Sequence, residues 1–311
     1  MKYLLISLLL ISSTVFAKLD GEGLTVAVID TGLRTTHIDF ASRVVAVVNL
    51  SDDDSGDINN VTDYWGHGTL VTGIIAANGV SRGVAPNCNI VVIKIVNSGV
   101  IGGLTWDRMN EALIWVVDNH KEYNISVVNM SIISGGNFLA PAYDKPFRDT
   151  IRELRNLGIP VVVPSGNNYK SYETEGMCVP AIWNETISVG TIDSGGYLAA
   201  FSQRITDINN PYHTDCFAPG IKITSSGIGS DKDTATSNGT SLSCGFVSGT
   251  ILLLQQRWLK RHKELPSVDI IEDSFLYKQK GEYPVLNIKK SLKYIRRISR
   301  LSRRIEVDSW K

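Results

Sequence analysis

The sequence predicts an α/β fold, a doubly wound and mostly parallel central sheet with helices on both faces, and three observations carry that expectation. Short apolar runs rich in β-branched residues recur along the chain, helical patterns lie between several of them, and 43% of the 311 residues are hydrophobic, enough for one large core. Continuous apolar runs mark strands covered on both faces, as parallel strands of such a sheet are.

In chain order the strands are expected at Leu24 to Ile29, Val44 to Val48, Ile90 to Ile95, Val127 to Met130, Pro160 to Val163 and Thr186 to Val189. Helices are expected at Thr69 to Ala77, Leu104 to Asn119 and Tyr143 to Leu157. The last stops at Gly158, which can take the left-handed turn that ends a helix, and Pro160 lies just beyond. A long helix from about Ser241 to Arg261 follows a Gly/Ser/Asp-rich loop, and Leu286 to Tyr294 closes the domain. Sheets of this kind take ligands at the carboxyl ends of their strands, so a site is expected there.

The 31 basic and 31 acidic residues cancel, which excludes a global field favouring nucleic acid or an anionic membrane. Met1 to Ala17 carries one early lysine, an apolar run and small residues at its end, the pattern of a signal peptide. The run is well short of the roughly 20 residues that span a bilayer. The expected organisation is therefore a signal peptide at 1–17, a single domain at 18–295 and a basic, solvated tail at 296–311 with five arginines, in a secreted protein free of the membrane after cleavage. Export permits disulfides among Cys88, Cys178, Cys216 and Cys244, but spacing does not choose among the pairings. No Cys/His spacing suggests zinc.

Four segments carry chemistry. VAVIDTG (26–32) puts the Asp30 carboxylate at the end of a buried strand, a good partner for an imidazole N–H. The same Asp-Thr-Gly pattern could present the carboxylate of an aspartic protease, with Asp193 in the later DSG as its second copy. GHGT (66–69) sets His67 between two glycines just before an apolar helix, a context that His37, His120, His213 and His262 lack. NGTS (238–241) puts the Ser241 hydroxyl at the start of the long apolar helix, where the helix N–H groups face an oxyanion. The order Asp, His, Ser and the G-x-S-x-S pattern differ from an α/β-hydrolase esterase. SGN (165–167) places the Asn167 amide after a strand, at the same carboxyl edge.

In this order the four segments resemble the signature blocks of the subtilisin-like serine proteases, or subtilases, and the likeness runs from about Gly21 to Tyr294. GVAP (83–86), NMS (129–131) and APG (218–220) resemble further family landmarks. The resemblance implies a serine endopeptidase with Asp30, His67 and Ser241 as its triad and Asn167 as oxyanion donor. It also implies that an extended protein or peptide substrate lies between Gly99, Val100 and Ile101 on one side and Ser131, Ile132 and Ile133 on the other. No cofactor is required, no nucleic acid is engaged and a monomer is expected.

Departures from the family pattern have consequences. Gly245 and Phe246 stand where a Pro and a His are usual, so altered helix packing is expected, and Ile133 with Ser134 interrupts the usual pocket glycines. The short stretch between Ala77 and Gly83 lacks room for the calcium loop of some relatives. Asp52 to Asp57 offers carboxylates for a structural calcium but not the EF-hand spacing, and reads as a solvated acidic loop. Only Lys18 to Ile29 separates the expected cleavage site from Asp30, which leaves no room for a propeptide. Some extracellular members carry a disulfide in the region flanked by Cys178 and Cys216, and the resemblance favours that pair. A binding protein that keeps this fold without turnover is the alternative from another functional class.

Overall fold

The apolar run after Leu24 forms β1 (Thr25–Asp30), buried along its whole length. Its side chains alternate, Val26 and Val28 entering one apolar cluster and Ala27 and Ile29 the other. A strand with two apolar faces needs cover on both, and each face of the sheet has a helical layer. The computed structural model describes residues 19–98, 105–133, 135–142, 146–277 and 282–308, with side chains up to residue 302.

Six further strands join β1: β2 (Val44–Asn49), β3 (Asn89–Lys94), β4 (Ile125–Met130), β5 (Val161–Pro164), β6 (Ile187–Ile192) and β7 (Cys216–Pro219). Their order is β2-β3-β1-β4-β5-β6-β7 and neighbours pair in parallel. Later strands add on opposite sides of β1, so the sheet reverses its winding there and opens a crevice at the carboxyl end of β1. The expected doubly wound α/β fold and all six expected strands are present. β7 and the antiparallel hairpin β8 (Ile223–Ser226) and β9 (Thr234–Ser237), none of them anticipated, have only four residues each.

On one face lie α1 (His67–Ala76), α5 (Thr240–Leu259), α6 (Val268–Leu276) and α7 (Ile288–Asp308), and on the other α2 (Trp106–Asn119) and α3 (Pro146–Asn156); α4 (Tyr169–Tyr172) is a single turn. α5 is buried almost throughout, from Thr240 to Gln255. It sits tightly on α1 because Gly245 has no side chain: a Cβ there would come within 2.9 Å of the Ile74 side chain. This is the local reason for one departure from the family pattern, and it brings the helices bearing His67 and Ser241 into contact.

Two expectations are corrected here. The basic segment after residue 295 is not a solvated tail, because α7 continues through it to Asp308. Ile288, Leu292, Ile295 and Ile298 recur at helical spacing and pack against the core, while arginines take the other side. The favoured disulfide is also absent: all four cysteines are free and buried. Cys216 belongs to the cluster on one face of the sheet and Cys178 to the cluster on the other, where its thiol donates to the Ser165 carbonyl at 3.1 Å.

Burial pushes all four thiols to higher pKa, Cys88 to about 12. None should react with Ellman's reagent in the native protein, and all four cysteines should titrate in denaturant without reductant. Two reactive thiols under those conditions would point to a disulfide.

Candidate active site

β1 ends at Asp30, whose side chain is only 1% exposed. Its Oδ1 accepts the Thr31 N–H at 2.8 Å and meets His67 Nδ1 at 2.6 Å. Oδ2 is buried without a hydrogen-bond partner, so the negative charge is met chiefly through the imidazole. Burial opposes charge on His67, yet the Asp30 carboxylate, by its charge and its hydrogen bond, with Asp63 adding to it, raises the imidazole pKa above the ordinary value. The tautomer that donates Nδ1–H to Asp30 leaves Nε2 free as a base.

The approach of β1 to α1 depends on two glycines. Gly66, at φ +80°, makes the left-handed turn into α1. A Cβ on Gly68 would lie 2.2 Å from the Gly32 carbonyl oxygen, so only glycine lets the first turn of α1 lie against the end of β1.

Sequence reasoning missed Asp63. This buried carboxylate accepts the Trp65 and Gly66 N–H groups at 3.0 and 2.8 Å, the Thr69 N–H and hydroxyl at 2.9 and 2.8 Å, and the Thr31 hydroxyl at 2.9 Å. It thereby satisfies the N-terminal donors of α1 and fixes the turn that presents His67. An acidic residue four positions before a histidine at a helix start is the signal that could have found it.

Ser241 lies in the first turn of α5, 9% exposed. Its hydroxyl donates to the Ser131 carbonyl at 3.3 Å rather than to His67, and the Ser131 hydroxyl donates to the Ser241 carbonyl at 3.2 Å. Asn129 donates to Ser131 Oγ and accepts from Ser248, so the end of β4 is tied to α5 at the nucleophile candidate and again two turns beyond it. Asn167 Oδ1 accepts both the N–H and the hydroxyl of Thr240 at 3.0 Å. The Thr240 N–H can only donate, which fixes the amide with its NH2 group turned away. A Cβ on Gly239 would lie 3.8 Å from Asn167 Nδ2 and 3.9 Å from the Ser241 nitrogen, so both donors border the space that this glycine leaves open.

Asp30, His67, Asn167 and Ser241 thus converge on one edge of the sheet. Ile132 and Ile133 follow Ser131 there, half-buried, whereas Gly99, Val100 and Ile101 lie outside the described residues. Asp193 belongs to a different site: it closes its own turn onto the Gly195 and Tyr197 N–H groups. β6 is three strands from β1, about 14 Å, too far for Asp30 and Asp193 to share a proton. In the acidic loop Asp53 and Asp54 pair with the buried Lys94 at 2.8 and 3.5 Å, and Asp52 with Arg108 at 2.8 Å. Among the described residues no group of three or more His, Cys, Asp or Glu side chains could hold a metal ion.

The sequence profile of the subtilase family matches residues 21–268, a span containing all four converging residues. The chain belongs to the subtilase family. As a subtilase it is a serine-type endopeptidase. It is 32% identical over 239 residues to the "Major intracellular serine protease" of Bacillus subtilis (strain 168), covering 76% of this chain and 69% of that protein. It is 32% identical to the "Intracellular serine protease" of Paenibacillus polymyxa, covering 76% and 68%. Against the "Cuticle-degrading serine protease" of Arthrobotrys oligospora it is 35% identical, covering 74% of this chain but only 51% of that protein.

These likenesses overturn the expected secretion, since two relatives matched over three quarters of this subtilase are named as intracellular proteases. The signal peptide expected at Met1 to Ala17 lies outside the described residues.

Gly68→Ala should force the end of β1 and the start of α1 apart. Misplacing a reacting group by about 1 Å can cost about a hundredfold in rate. The expected result is a fall in kcat/KM of at least that size in a variant whose circular dichroism still reports the α/β fold, measured on a chromogenic peptide.

Proposed function

We propose that this subtilase cleaves peptide bonds with Ser241 as nucleophile, His67 as general base and then acid, and Asp30 as the group that orients the imidazole. The observation that carries the reading is the 2.6 Å contact between His67 Nδ1 and Asp30 Oδ1, beside a serine held at the start of a buried helix. When substrate binds, the Ser241 hydroxyl turns from the Ser131 carbonyl to His67 Nε2 and gives up its proton as Oγ bonds to the peptide carbon. The oxyanion is met by the Asn167 amide and the Ser241 N–H, one such donor being worth about 3 kcal/mol in the transition state. His67 then protonates the leaving amine, and water hydrolyses the acyl-enzyme by the same route. The segment from Ser131 to Ile133 offers backbone to an extended substrate.

An intracellular setting is part of the proposal. The names of two relatives support it, as do four free, buried thiols, which suit a reducing compartment.

A fluorophosphonate should label the folded protein, and Ser241→Ala should abolish both labelling and peptide hydrolysis. A folded wild-type sample that neither labels nor cleaves would instead be a binding protein on this scaffold.

The neutral imidazole is the base, so kcat/KM should fall as pH drops through the His67 pKa. Because Asp30 raises that pKa, the acid limb should lie above the ordinary value of about 6.5. Asp30→Asn removes the cause of the shift: the rate should fall by about 10⁴ and the residual activity should lose its acid limb at lower pH than wild type. A limb that stays in place would assign it to another group.

A further inference from the structure

β3 ends on a buried cation, Lys94, that no step of peptide hydrolysis requires. It is in register with Asp30 at the end of β1. Val28 and Val92, paired two residues earlier, both enter the cluster beneath α1 and α5, and with a side-chain period of two Asp30 and Lys94 leave the sheet on that same face. The Lys94 ammonium donates to the Thr62 carbonyl at 2.8 Å and pairs with Asp53 at 2.8 Å and Asp54 at 3.5 Å. The Tyr64 ring covers it, 4.5 Å from ammonium to centroid, and the Tyr64 hydroxyl donates to Asp54. Burying an ammonium group is costly even when it is paired, and packed apolar side chains often serve a fold equally well. What Lys94 holds in place is therefore the better guide to its role.

Thr62 immediately precedes Asp63, the carboxylate that satisfies the first donors of α1 and fixes the turn presenting His67. The Leu33 N–H donates to the Val61 carbonyl at 2.8 Å, and a Cβ on Gly32 would lie 2.4 Å from the Val61 oxygen and 3.1 Å from that of Thr62. This segment thus lies directly on the chain that leaves Asp30. Asp53, the partner of Lys94, accepts the Ser98 N–H at 2.9 and 2.8 Å on its two oxygens and the Ser98 hydroxyl at 2.8 Å. Burial opposes charge on Asp53, but the hydrogen bonds from Lys94 and Ser98 outweigh it and hold the carboxyl below its usual range. Trp65, two residues before His67, donates Nε1–H to the Asn97 carbonyl at 3.2 Å. The stretch from Lys94 to Ser98 therefore grips the turn on both sides of Asp63, at Thr62 and at Trp65. Asp63 ties that turn to α1, whereas Lys94 ties it to the strand beside β1.

We propose that Lys94 is a positioning residue of this protease: its ammonium fixes the Thr62 carbonyl, and through it the turn that presents His67 to Asp30 and Ser241. The inference rests on the triad reading above.

The test counts active sites with a fluorophosphonate and measures kcat per labelled site on a chromogenic peptide. Lys94→Met keeps most of the side-chain length but strands the Asp53 charge, so Lys94→Met/Asp53→Asn is measured beside it; the Asn oxygen can still accept from Ser98. In both variants kcat per labelled site should fall at least about tenfold, with KM within about twofold of wild type. The double variant should melt at a higher temperature than Lys94→Met, and Asp53→Asn alone, which leaves Lys94 on Thr62, should keep kcat within about twofold. A double variant that does not fold, that turns over at the wild-type rate per labelled site, or whose loss lies in KM or in the number of labelled sites would overturn the proposal, as would an equal loss in Asp53→Asn. Wild-type protein that takes no label would instead overturn the triad reading itself.

Discussion

A carboxylate buried at the end of a strand is tolerable only if its charge is met, because an unpaired buried ion costs several kcal/mol. Asp30 is in that position, with one oxygen unpartnered and the other shared between the Thr31 N–H and His67. The surrounding architecture serves this contact. Bare backbone at Gly32 and Gly68 lets helix and strand meet, and Asp63 holds the turn that aims the imidazole. The constraint also prepares the chemistry: a buried carboxylate charge held against the imidazole favours the imidazolium, the state His67 occupies as the serine gives up its proton.

α5 connects this pair to the rest of the site. Its first turn holds Ser241 and, through Thr240, fixes the Asn167 amide. Ser131 exchanges hydrogen bonds with Ser241 in both directions, so the nucleophile candidate is registered against the end of β4. Because Gly245 brings α5 down onto α1, helix packing and catalytic geometry become one constraint: anything that separates these helices also separates Ser241 from His67.

How much was legible in the sequence follows from how local each signal is. Asp30, His67, Asn167 and Ser241 each sit in a short block whose glycines and flanking apolar runs mark the turn they need, and all four converge. Asp63 was missed because its work is to accept backbone N–H groups and hydroxyls, so its one trace in the sequence is its place four residues before His67. β7, β8 and β9 are too short to build a recognisable period. The density of arginines after residue 295 hid the apolar positions Ile295 and Ile298, and a helix was read as a tail. The cysteines misled because a pairing rests on which face of the sheet each thiol enters, and sequence spacing does not carry that.

A net charge of zero conceals a separation of charge along the strand direction. At the carboxyl edge of the sheet Asp52, Asp53, Asp54 and Asp57 face only Lys94 and Arg108, leaving that edge negative beside the cleft. At the opposite edge, where Gln255 donates to the Ser126 carbonyl just inside β4, Arg257 lies near the charges of Arg296, Arg261 and Arg300, which with burial hold its guanidinium below its usual range.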